Sequence, residues 1–308
     1  MLKVFVDSGS SIKPDEALKY NVELIPLKIL LGEKEYLDGV DLSMDLFYDK
    51  LINENLFPKT SLPTLTDLED RVNSYTSNGD DVIILTLSSK ISGTFNAIKL
   101  LFEDNDRVKV IDSCLAVGGM RLLVDEINRH RNESVEAICK YVNELIPRIQ
   151  IMAIPETLNY LLKGGRLSKT EWLVGSILKI KPIIGFVDGK VKVHTKRIGL
   201  KSGMLYIAEA LEKLECDENY DIIASYTYNR NNLDTLISYT DDKYKKQIKV
   251  YDNLDPAVAC HWGPNAFGYI FVSKKWLNDW FFKKILFVNI SLSFICFRLS
   301  IIFSYWYY

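Results

Sequence analysis

The sequence predicts an α/β protein with a parallel sheet in its N-terminal part, and two observations support this. Three segments, residues 2–11, 81–93 and 108–119, each consist of an apolar run that ends in small polar residues. Continuous apolar runs rich in β-branched residues are typical of strands that are buried on both faces. The second and third runs are followed by helical patterns, "TFNAIKLLFED" and "GMRLLVDEINRHR". Alternation of strands with helices indicates βαβ units, in which successive strands lie parallel.

The stretch between the first two of these strands predicts smaller elements. Its pattern indicates a strand pair that turns at Gly32 and Glu33, followed by a helix that begins near Ser43. Prolines at both ends of residues 58–63 bracket an extended loop, because proline restricts the residue before it to extended backbone. A further helix is expected from about Leu65.

A second region begins near Ile151. There a helix is expected to stop at Gly164 and Gly165, because glycine is a common residue at helix C-termini. A hairpin is expected to turn at Asp188 and Gly189, since Asp-Gly is a strong two-residue turn signal. A helix then follows in "LKSGMLYIAEALEKL", and strands follow in "DIIASYTYN", "QIKVYDNL" and the end of "HWGPNAFGYIFVS".

The predicted organisation has three parts, residues 1–150, 151–275 and 276–308. The first two are α/β domains, and the third is an atypical hydrophobic tail. From residue 285 onward the tail carries one charge, Arg298, and about 20 apolar residues suffice to cross a bilayer. A charge near mid-span opposes insertion by roughly 2.5–3.5 kcal/mol. Two interpretations stay open: a membrane segment, or an accidental extension of a protein that otherwise ends before the tail.

The composition is that of a soluble globular protein, with 308 residues of which 48% are hydrophobic and 25% charged. The formal net charge of −2 gives no electrostatic basis for binding nucleic acid. The five cysteines include no CxxC pair, which is typical of a reduced, cytoplasmic protein. The N-terminus reads as a strand and lacks the basic and apolar regions of a secretory signal. We therefore expect a cytoplasmic protein, with membrane contact only through the tail.

Two hydroxyl-rich segments are the first candidates for a ligand site. Ser92, Gly93 and Thr94 stand where a helix begins, beyond the carboxyl end of a strand, which is where ligands bind in parallel sheets. Free backbone N–H groups at a helix start attract an anion, but serine and threonine are also ordinary N-cap residues. Thr60 and Ser61 form a second hydroxyl pair, which a turn that satisfies its own backbone would also explain.

The inventory of motifs argues against several classes of function. Three histidines without metal-ligand spacing predict no metal site, and the lack of a Walker A loop or G-x-G-x-x-G predicts no nucleotide cofactor. A small-molecule hydrolase that uses Ser92 and His261 is an alternative. The missing G-x-S-x-G elbow and the lack of an assigned orienting carboxylate count against it. Arg166 and Arg197 are candidate contacts for an anion or a partner, or ordinary surface charges.

Nine segments of the chain together resemble the DegV family of bacterial fatty-acid-binding proteins. No segment is specific alone, but the nine occur in the family's order over about residues 2–274. Their sequences are "VDSGSSI", "YLDGVDLSMDLFYDKL", "KTSLPT", "LSSKISGTFNA", "VIDSCLAVGG", "TLNYLLKGGRLS", "ILKIKPIIGFVDGKV", "KRIGLKSG" and "HWGPNAFG".

The resemblance implies an α/β fold of two domains with a long acyl chain buried between them. In the family, the threonine of the KTS loop and the serine of the SGT loop bind the ligand carboxylate, and these positions are Thr60 and Ser92. The histidine before the glycine-proline turn lies near the same head group, and it is His261 in this chain. The expected neighbours of this head-group site are Ser61, Gly93 and Thr94.

The resemblance also implies a role in lipid metabolism. The best-understood members of the family act as the carrier subunit of fatty acid kinase and are not catalytic alone. They present the fatty acid carboxylate to a separate ATP-binding subunit, which makes an acyl-phosphate that feeds phospholipid synthesis. Arg197 matches a family position implicated in partner docking or phosphotransfer. No cofactor is implied beyond the bound long-chain fatty acid.

The chain departs from the family pattern at several positions. Leu62 and Thr64 stand where the family often has glutamine and serine, so Leu62 removes a polar group near the expected pocket mouth. Asn265 and Phe267 replace a glycine and a leucine after the glycine-proline turn. These differences bear on the preferred chain length and unsaturation of the ligand. The tail has no counterpart in the family.

Overall fold

The computed structural model of the chain describes residues 1–170, 179–251 and 254–275. The strands of these residues, in chain order, are β1 Leu2–Asp7, β2 Glu23–Ile25, β3 Lys28–Leu31, β4 Lys34–Leu37, β5 Lys59–Ser61, β6 Asp81–Thr86, β7 Val108–Asp112, β8 Ile149–Ile154, β9 Ile180–Val187, β10 Lys190–Ile198, β11 Ile222–Tyr226, β12 Ile248–Val250 and β13 Phe267–Val272.

The helices of the same residues alternate with these strands. They are α1 Ala17–Tyr20, α2 Met44–Tyr48, α3 Leu65–Thr76, α4 Thr94–Leu101, α5 Gly118–Arg129, α6 Val135–Leu145, α7 Asn159–Lys163, α8 Leu200–Lys213, α9 Asn231–Tyr239, α10 Asp242–Lys245 and α11 Pro256–Trp262. Shorter 3-10 turns span Ser8–Ser10 and Ile146–Arg148, and a π-helical turn spans Asp49–Asn53.

Four parallel strands form the sheet that the sequence predicts, in the order β2-β1-β6-β7. Both faces of this sheet are covered. Phe5 and Ile84 pack with α3 and α4 on one face, and Val6 and Ile83 pack with α5 on the other. All four side chains are inaccessible to solvent, which explains why these strands read as continuous apolar runs.

The carboxylate of Asp7 connects the carboxyl ends of β1 and β6 through hydrogen bonds. Asp7, at the end of β1, accepts the N–H of Gly9 at 2.9 Å and the N–H of Leu87 at 2.7 Å. Leu87 begins the polar loop that leads from β6 into α4. Burial raises the pKa of Asp7 to about 7, in spite of the two N–H donors that lower it. The polar residues after the two strands therefore lie side by side at one edge of the sheet, as expected.

The second sheet has six strands in the order β10-β9-β8-β13-β11-β12. Its pairs are antiparallel except for β11 with β12. The predicted hairpin joins β9 to β10, and both Asp188 and Gly189 have the positive φ that a tight hairpin turn requires. Gly185 lies so close to β8 that a Cβ there would overlap the carbonyl oxygen of Ile151. The lack of a side chain at this position allows β9 to approach β8.

A third, antiparallel sheet has the order β4-β3-β5. The hairpin of β3 and β4 is predicted from the sequence, but the extended loop expected at residues 59–61 is a strand in the structure. Thr60 pairs with Ile29, and Ser61 pairs with Lys28. The segment is extended as expected, and the free edge of β3 supplies hydrogen-bond partners that local sequence patterns do not reveal. This pairing fixes the backbone of Thr60 and Ser61.

Helix α11 is an element that the sequence analysis did not predict. Asp255 occupies its N-cap position and Pro256 its first turn, an arrangement that favours helix initiation. The helix contacts α7 on one side and β3 and β5 on another. It ends at Gly263, whose φ is +70° and where a Cβ would overlap the ring of Tyr160. Helix α11 therefore links the small sheet to the C-terminal part of the chain.

The largest group of buried apolar side chains includes residues from both larger sheets. Leu123 of α5 packs in the same core as Ile151 of β8 and Ile270 of β13. The approach of α5 to the six-stranded sheet depends on Gly118, where a Cβ would lie 2.6 Å from Ile223. Helix α5 thus covers the four-stranded sheet and contacts the six-stranded sheet at the same time.

The strands of the four-stranded sheet lie within residues 2–112, and those of the six-stranded sheet lie within residues 149–272. The division into domains at residue 150 stays a prediction. The hydrophobic tail, residues 276–308, lies outside the described residues. Within the described part of the chain, no helix combines the length and apolar content needed to cross a membrane.

Candidate functional site

A cavity of about 340 Å³ lies between β5, the loop after β6, and α11. Its polar lining consists of Thr60, Ser61, Ser92, Arg166 and His261. Its apolar lining consists of Leu27, Leu62, Leu87, Ile91, Ala116, Leu161, Phe186, Val191, Ala257, Val258 and Trp262, with backbone from Gly9 and Gly93. Exposed residues mark the mouth of the cavity, and these are Ser61, Leu62 and Gly93.

The Thr60 hydroxyl and the His261 ring meet at this cavity. Thr60 Oγ1 lies 3.1 Å from His261 Nε2, although 201 residues separate them in sequence. Pairing of β5 with β3 holds Thr60, and the last turn of α11 holds His261. Burial, and to a smaller extent the charge of Arg166, lowers the pKa of His261 to about 4. The imidazole is therefore neutral at neutral pH, with one donor and one acceptor nitrogen.

The position of the His261 ring depends on Gly164. This glycine follows α7, and a Cβ there would overlap His261 Nδ1. Nδ1 is itself buried and has no hydrogen-bond partner among the described residues. Nε2 is thus the ring nitrogen that forms a hydrogen bond, with Thr60.

Ser92 is oriented by the residue that begins α4. Its Oγ lies 2.9 Å from Thr94 Oγ1 and accepts the Thr94 N–H at 3.3 Å. The Thr94 side chain is fully buried and does not line the cavity, so Thr94 acts on the site through Ser92. Gly93 lies at the mouth, where a Cβ would come into ordinary contact with Leu62. Of the predicted residues, the structure thus brings Thr60, Ser61, Ser92, Gly93 and His261 to one cavity.

Arg166 places a cation in the cavity wall. Its Nε donates to the carbonyl of Ile91 at 2.9 Å, and its Nη1 donates to the carbonyl of Gly164. Burial lowers the pKa of the guanidinium. From the sequence alone Arg166 was one of two arginines with open interpretations. Its place in the cavity wall favours the interpretation as an anion contact.

The apolar wall from α11 is the part of the cavity that sequence reasoning missed. Ala257, Val258, His261 and Trp262 all line the cavity. They occupy positions i, i+1, i+4 and i+5, which lie on one face of a helix. The segment "PAVACHW" contains this signal, and the helix-favouring Asp-Pro start precedes it. The same pattern could have predicted a helix that presents His261 beside apolar side chains.

Arg197, the other arginine, lies outside the cavity lining. It belongs to β10, and its Nη1 donates to Thr195 Oγ1 at 2.9 Å. Its guanidinium carbon lies 4.1 Å from the centre of the Tyr206 ring on α8, a cation–π geometry. Arg197 therefore occupies a surface of the C-terminal part rather than the ligand cavity.

The contacts of the site do not support the hydrolase alternative. A serine hydrolase needs its base on the nucleophile and a carboxylate on the other nitrogen of that base. Here Ser92 Oγ bonds to Thr94, and His261 Nε2 bonds to Thr60. Nδ1 of His261 has no partner among the described residues. The same residues contain no group of three or more His, Cys, Asp or Glu side chains placed to hold a metal ion.

Buried aspartates attach α11 to the N-terminal part of the chain. Asp38, 2% exposed, accepts the N–H of Ala257 at 3.1 Å through Oδ1, whereas its Oδ2 has no partner among the described residues. Burial, and then the nearby charge of Asp255, raises the pKa of Asp38 to about 8. Burial also raises the pKa of Asp255 to about 6, against the charges of Lys13 and Arg121. Two acids that resist ionisation thus lie at the start of the helix that carries His261.

Comparison with known sequences decides the family. A family profile described as "Uncharacterised protein, DegV family" matches residues 1–274. The chain belongs to the DegV family. A DegV domain-containing protein of Clostridium acetobutylicum is 29% identical over 279 residues, which cover 89% of this chain and 99% of the relative. A DegV domain-containing protein of Caldanaerobacter subterraneus is 30% identical over 278 residues, with the same two coverages.

Solved structures of fatty-acid-binding proteins share the fold. A fatty-acid-binding DegV family protein from Streptococcus agalactiae superposes with a TM-score of 0.81 at 25% sequence identity. A stearic-acid-binding protein from Eubacterium ventriosum superposes with a TM-score of 0.77 at 26% identity. Each match covers 89% of this chain and 99% of the other. The α/β fold predicted from the sequence and the resemblance to the DegV family are therefore confirmed.

We expect Asp38→Asn to change the pH dependence of stability. Because the pKa of Asp38 is raised to about 8 in the folded state, stability from this group is present at low pH and is lost as pH rises from about 4 towards 8. The variant lacks this loss, so its free energy of unfolding should rise relative to wild type over that range, by as much as about 5 kcal/mol. Urea denaturation at several pH values measures the difference.

The matched control for that experiment is Asp70→Asn, at an exposed position on α3. Its difference from wild type should stay constant over the same pH range. A constant difference for Asp38→Asn as well would show that Asp38 ionises in the folded protein as it does in the unfolded chain.

Proposed function

We propose that this DegV protein binds a long-chain fatty acid in the 340 Å³ cavity, with the carboxylate at Thr60, Ser92 and His261. One observation carries the proposal. Hydroxyls from two separate segments, each next to a residue of the exposed mouth, line one cavity together with a largely buried neutral histidine, and the remaining wall is mostly apolar. A molecule with one small anionic end and a long apolar body matches this arrangement.

The polar end offers several donors to a carboxylate. The Thr60 and Ser92 hydroxyls each carry one proton that can point at the ligand, and His261 Nε2 adds a donor in the tautomer protonated there. The start of α4, next to Ser92, contributes the positive end of a helix dipole. Arg166 adds a formal positive charge in the wall. A carboxylate can thus bind through these neutral donors together with the charge of Arg166.

The apolar wall supplies most of the binding free energy. Each methylene that leaves water contributes about 0.8 kcal/mol, so ten buried methylenes contribute about 8 kcal/mol. A hydrogen bond in the polar end contributes about 1 kcal/mol net. The acyl chain would therefore determine affinity, and the polar residues would determine which end of the ligand faces the mouth. The Streptococcus agalactiae and Eubacterium ventriosum proteins, which bind fatty acids, support this assignment by their similarity.

We further propose that the protein is a non-catalytic carrier subunit. It would present the bound carboxylate to a separate ATP-binding fatty acid kinase subunit, which forms an acyl-phosphate for phospholipid synthesis. The location of the polar residues at an exposed mouth supports such a transfer. The division into domains 1–150 and 151–275, the cytoplasmic location and a membrane contact through residues 276–308 belong to the same proposal.

Removal of both hydroxyls tests the head-group site. Thr60→Ala combined with Ser92→Ala should weaken fatty acid binding about 10- to 100-fold, because two hydrogen bonds to a carboxylate are lost. Titration with a fluorescent fatty acid measures the affinity, and thermal denaturation checks the fold. Ser89→Ala removes a hydroxyl from the same loop outside the cavity and should leave the affinity unchanged. Equal affinity in the double variant would refute the assigned head-group site.

The glycines after α7 test the role of His261 without replacing it. Gly164→Ala should displace the His261 ring, since a Cβ there would overlap Nδ1, and should weaken fatty acid binding about tenfold. Gly165→Ala is the matched control. Gly165 has a φ of +74° and open space around it, so alanine should cost about 1 kcal/mol of stability without change in affinity. Equal affinity of the two variants would argue that His261 does not contact the ligand.

The role of Arg197 is tested with the kinase subunit present. Arg197→Ala should lower kcat/KM for acyl-phosphate formation at least tenfold, while the fatty acid affinity stays within twofold, because Arg197 lies outside the cavity lining. Lys196→Ala, at the neighbouring exposed position of β10, serves as the control. A loss of fatty acid binding in Arg197→Ala would instead connect this residue to the pocket.

A further inference from the structure

A second cavity adjoins the wall of the proposed fatty acid cavity. It has a volume of about 210 Å³ and lies beside the loop after β7 and the end of α6. Most of its lining is apolar, including Leu115, Ile149 and Val187. Exposed Pro147 and Asp188 at its edge show that it opens to solvent. The second cavity could therefore accept an apolar chain and release its end into water.

Phe186 is the side chain that both cavities share. It is the only residue of the described chain that lines the 340 Å³ cavity and also the 210 Å³ cavity. It lies in β9, directly opposite Val191 of β10, and packs against the main core while it remains partly exposed. Leu115 lines the second cavity, and the next residue, Ala116, lines the main one. Phe186 thus lies where the two cavities meet.

We infer that Phe186 closes the fatty acid cavity against the second opening and so limits the length of the acyl chain that binds. This inference rests on the proposed function, and it assigns to one residue the chain-length preference of that function. A chain that fills the main cavity meets the phenyl ring, and its further methylenes must coil or remain in water. Each methylene that stays in water instead of being buried forgoes about a fourfold gain in affinity.

The small cavity on the other side of Trp262 offers no comparable space. Trp262 also lines the main cavity, but the space behind it measures about 30 Å³, which suffices for about two water-sized groups. That space lies against β8, β11 and β13, in the interior of the protein. A longer chain therefore gains room on the Phe186 side and little room on the Trp262 side.

The experiment compares Phe186→Ala with wild type and with Val191→Ala, in the complete chain. Val191 is the cross-strand neighbour of Phe186 and lines only the main cavity, so its truncation enlarges the same wall without joining the two cavities. Affinities for saturated fatty acids of 14 to about 22 carbons are measured by displacement of a fluorescent fatty acid. The chain length that Phe186→Ala binds most tightly should be at least two carbons longer than that of wild type. Chains longer than the wild-type optimum should bind to Phe186→Ala about tenfold more tightly than to wild type. Because truncation of Val191 also enlarges the main cavity, the preferred chain length of Val191→Ala should move upward too, but by less than that of Phe186→Ala.

The second cavity also contains a reporter of chain passage. Cys114 lines it and is partly exposed, as is Cys139 on α6, which lies outside both cavities. Alkylation of these thiols, followed by mass spectrometry, should show Cys114 protected in Phe186→Ala only when the longer fatty acids are bound. The alkylation of Cys139 should not depend on ligand. Protection of both or of neither would contradict a chain that passes into the second cavity.

The outcomes separate the two proposals. If wild type binds fatty acids but Phe186→Ala keeps the wild-type optimum, the role of Phe186 is refuted and the proposed function stands. An equal shift in Val191→Ala would likewise refute a specific role of Phe186. If wild type and both variants bind no fatty acid of any length, the proposed function itself is refuted.

Discussion

The hydrogen bond from the Ala257 N–H to the buried carboxylate of Asp38 is the interaction on which the site depends. It holds the start of α11 against the N-terminal part of the chain. The last turn of the same helix then brings His261 to Thr60 and Trp262 to the cavity wall. A carboxyl group in this apolar environment is costly to ionise, and the second acid, Asp255, adds repulsion. Folding therefore favours the protonated form of Asp38, and ionisation of both acids opposes the attachment.

The chemistry of the cavity follows from this placement. The polar groups are hydroxyls, a neutral imidazole and an arginine whose N–H groups are held by backbone carbonyls. Among the described residues, none of these forms a nucleophile–base pair with an orienting acid, which is the arrangement that a serine hydrolase needs. The larger area of the wall is apolar, and apolar burial dominates the binding free energy of a long chain. The polar end of the cavity contributes little to the binding free energy of a fatty acid, and the apolar wall contributes most of it. This difference is the physical basis of the proposed carrier function.

Sequence patterns were sufficient for elements whose partners are local. The parallel strands, the Asp188–Gly189 hairpin and the helices after β6 and β7 follow from periodicity and turn chemistry that a few residues express. The strand β5 could not be predicted in this way, because its partner is the edge of β3, about thirty residues earlier. The helix α11 carries a readable pattern, but it is only seven residues long and a pattern of that length is weak.

The sequence by itself determined the family, the α/β class and the residues that the family resemblance places at a head group. Those properties depend on residue identity and order, which the sequence contains in full. Only the tertiary structure decided that Thr60 and His261 touch, that Thr94 acts behind Ser92, and that Arg197 lies outside the cavity. It also decided the lowered pKa that keeps His261 neutral and the position of Phe186 where the two cavities meet. Contacts between residues far apart in sequence, and the burial that shifts a pKa, arise only when the whole chain packs.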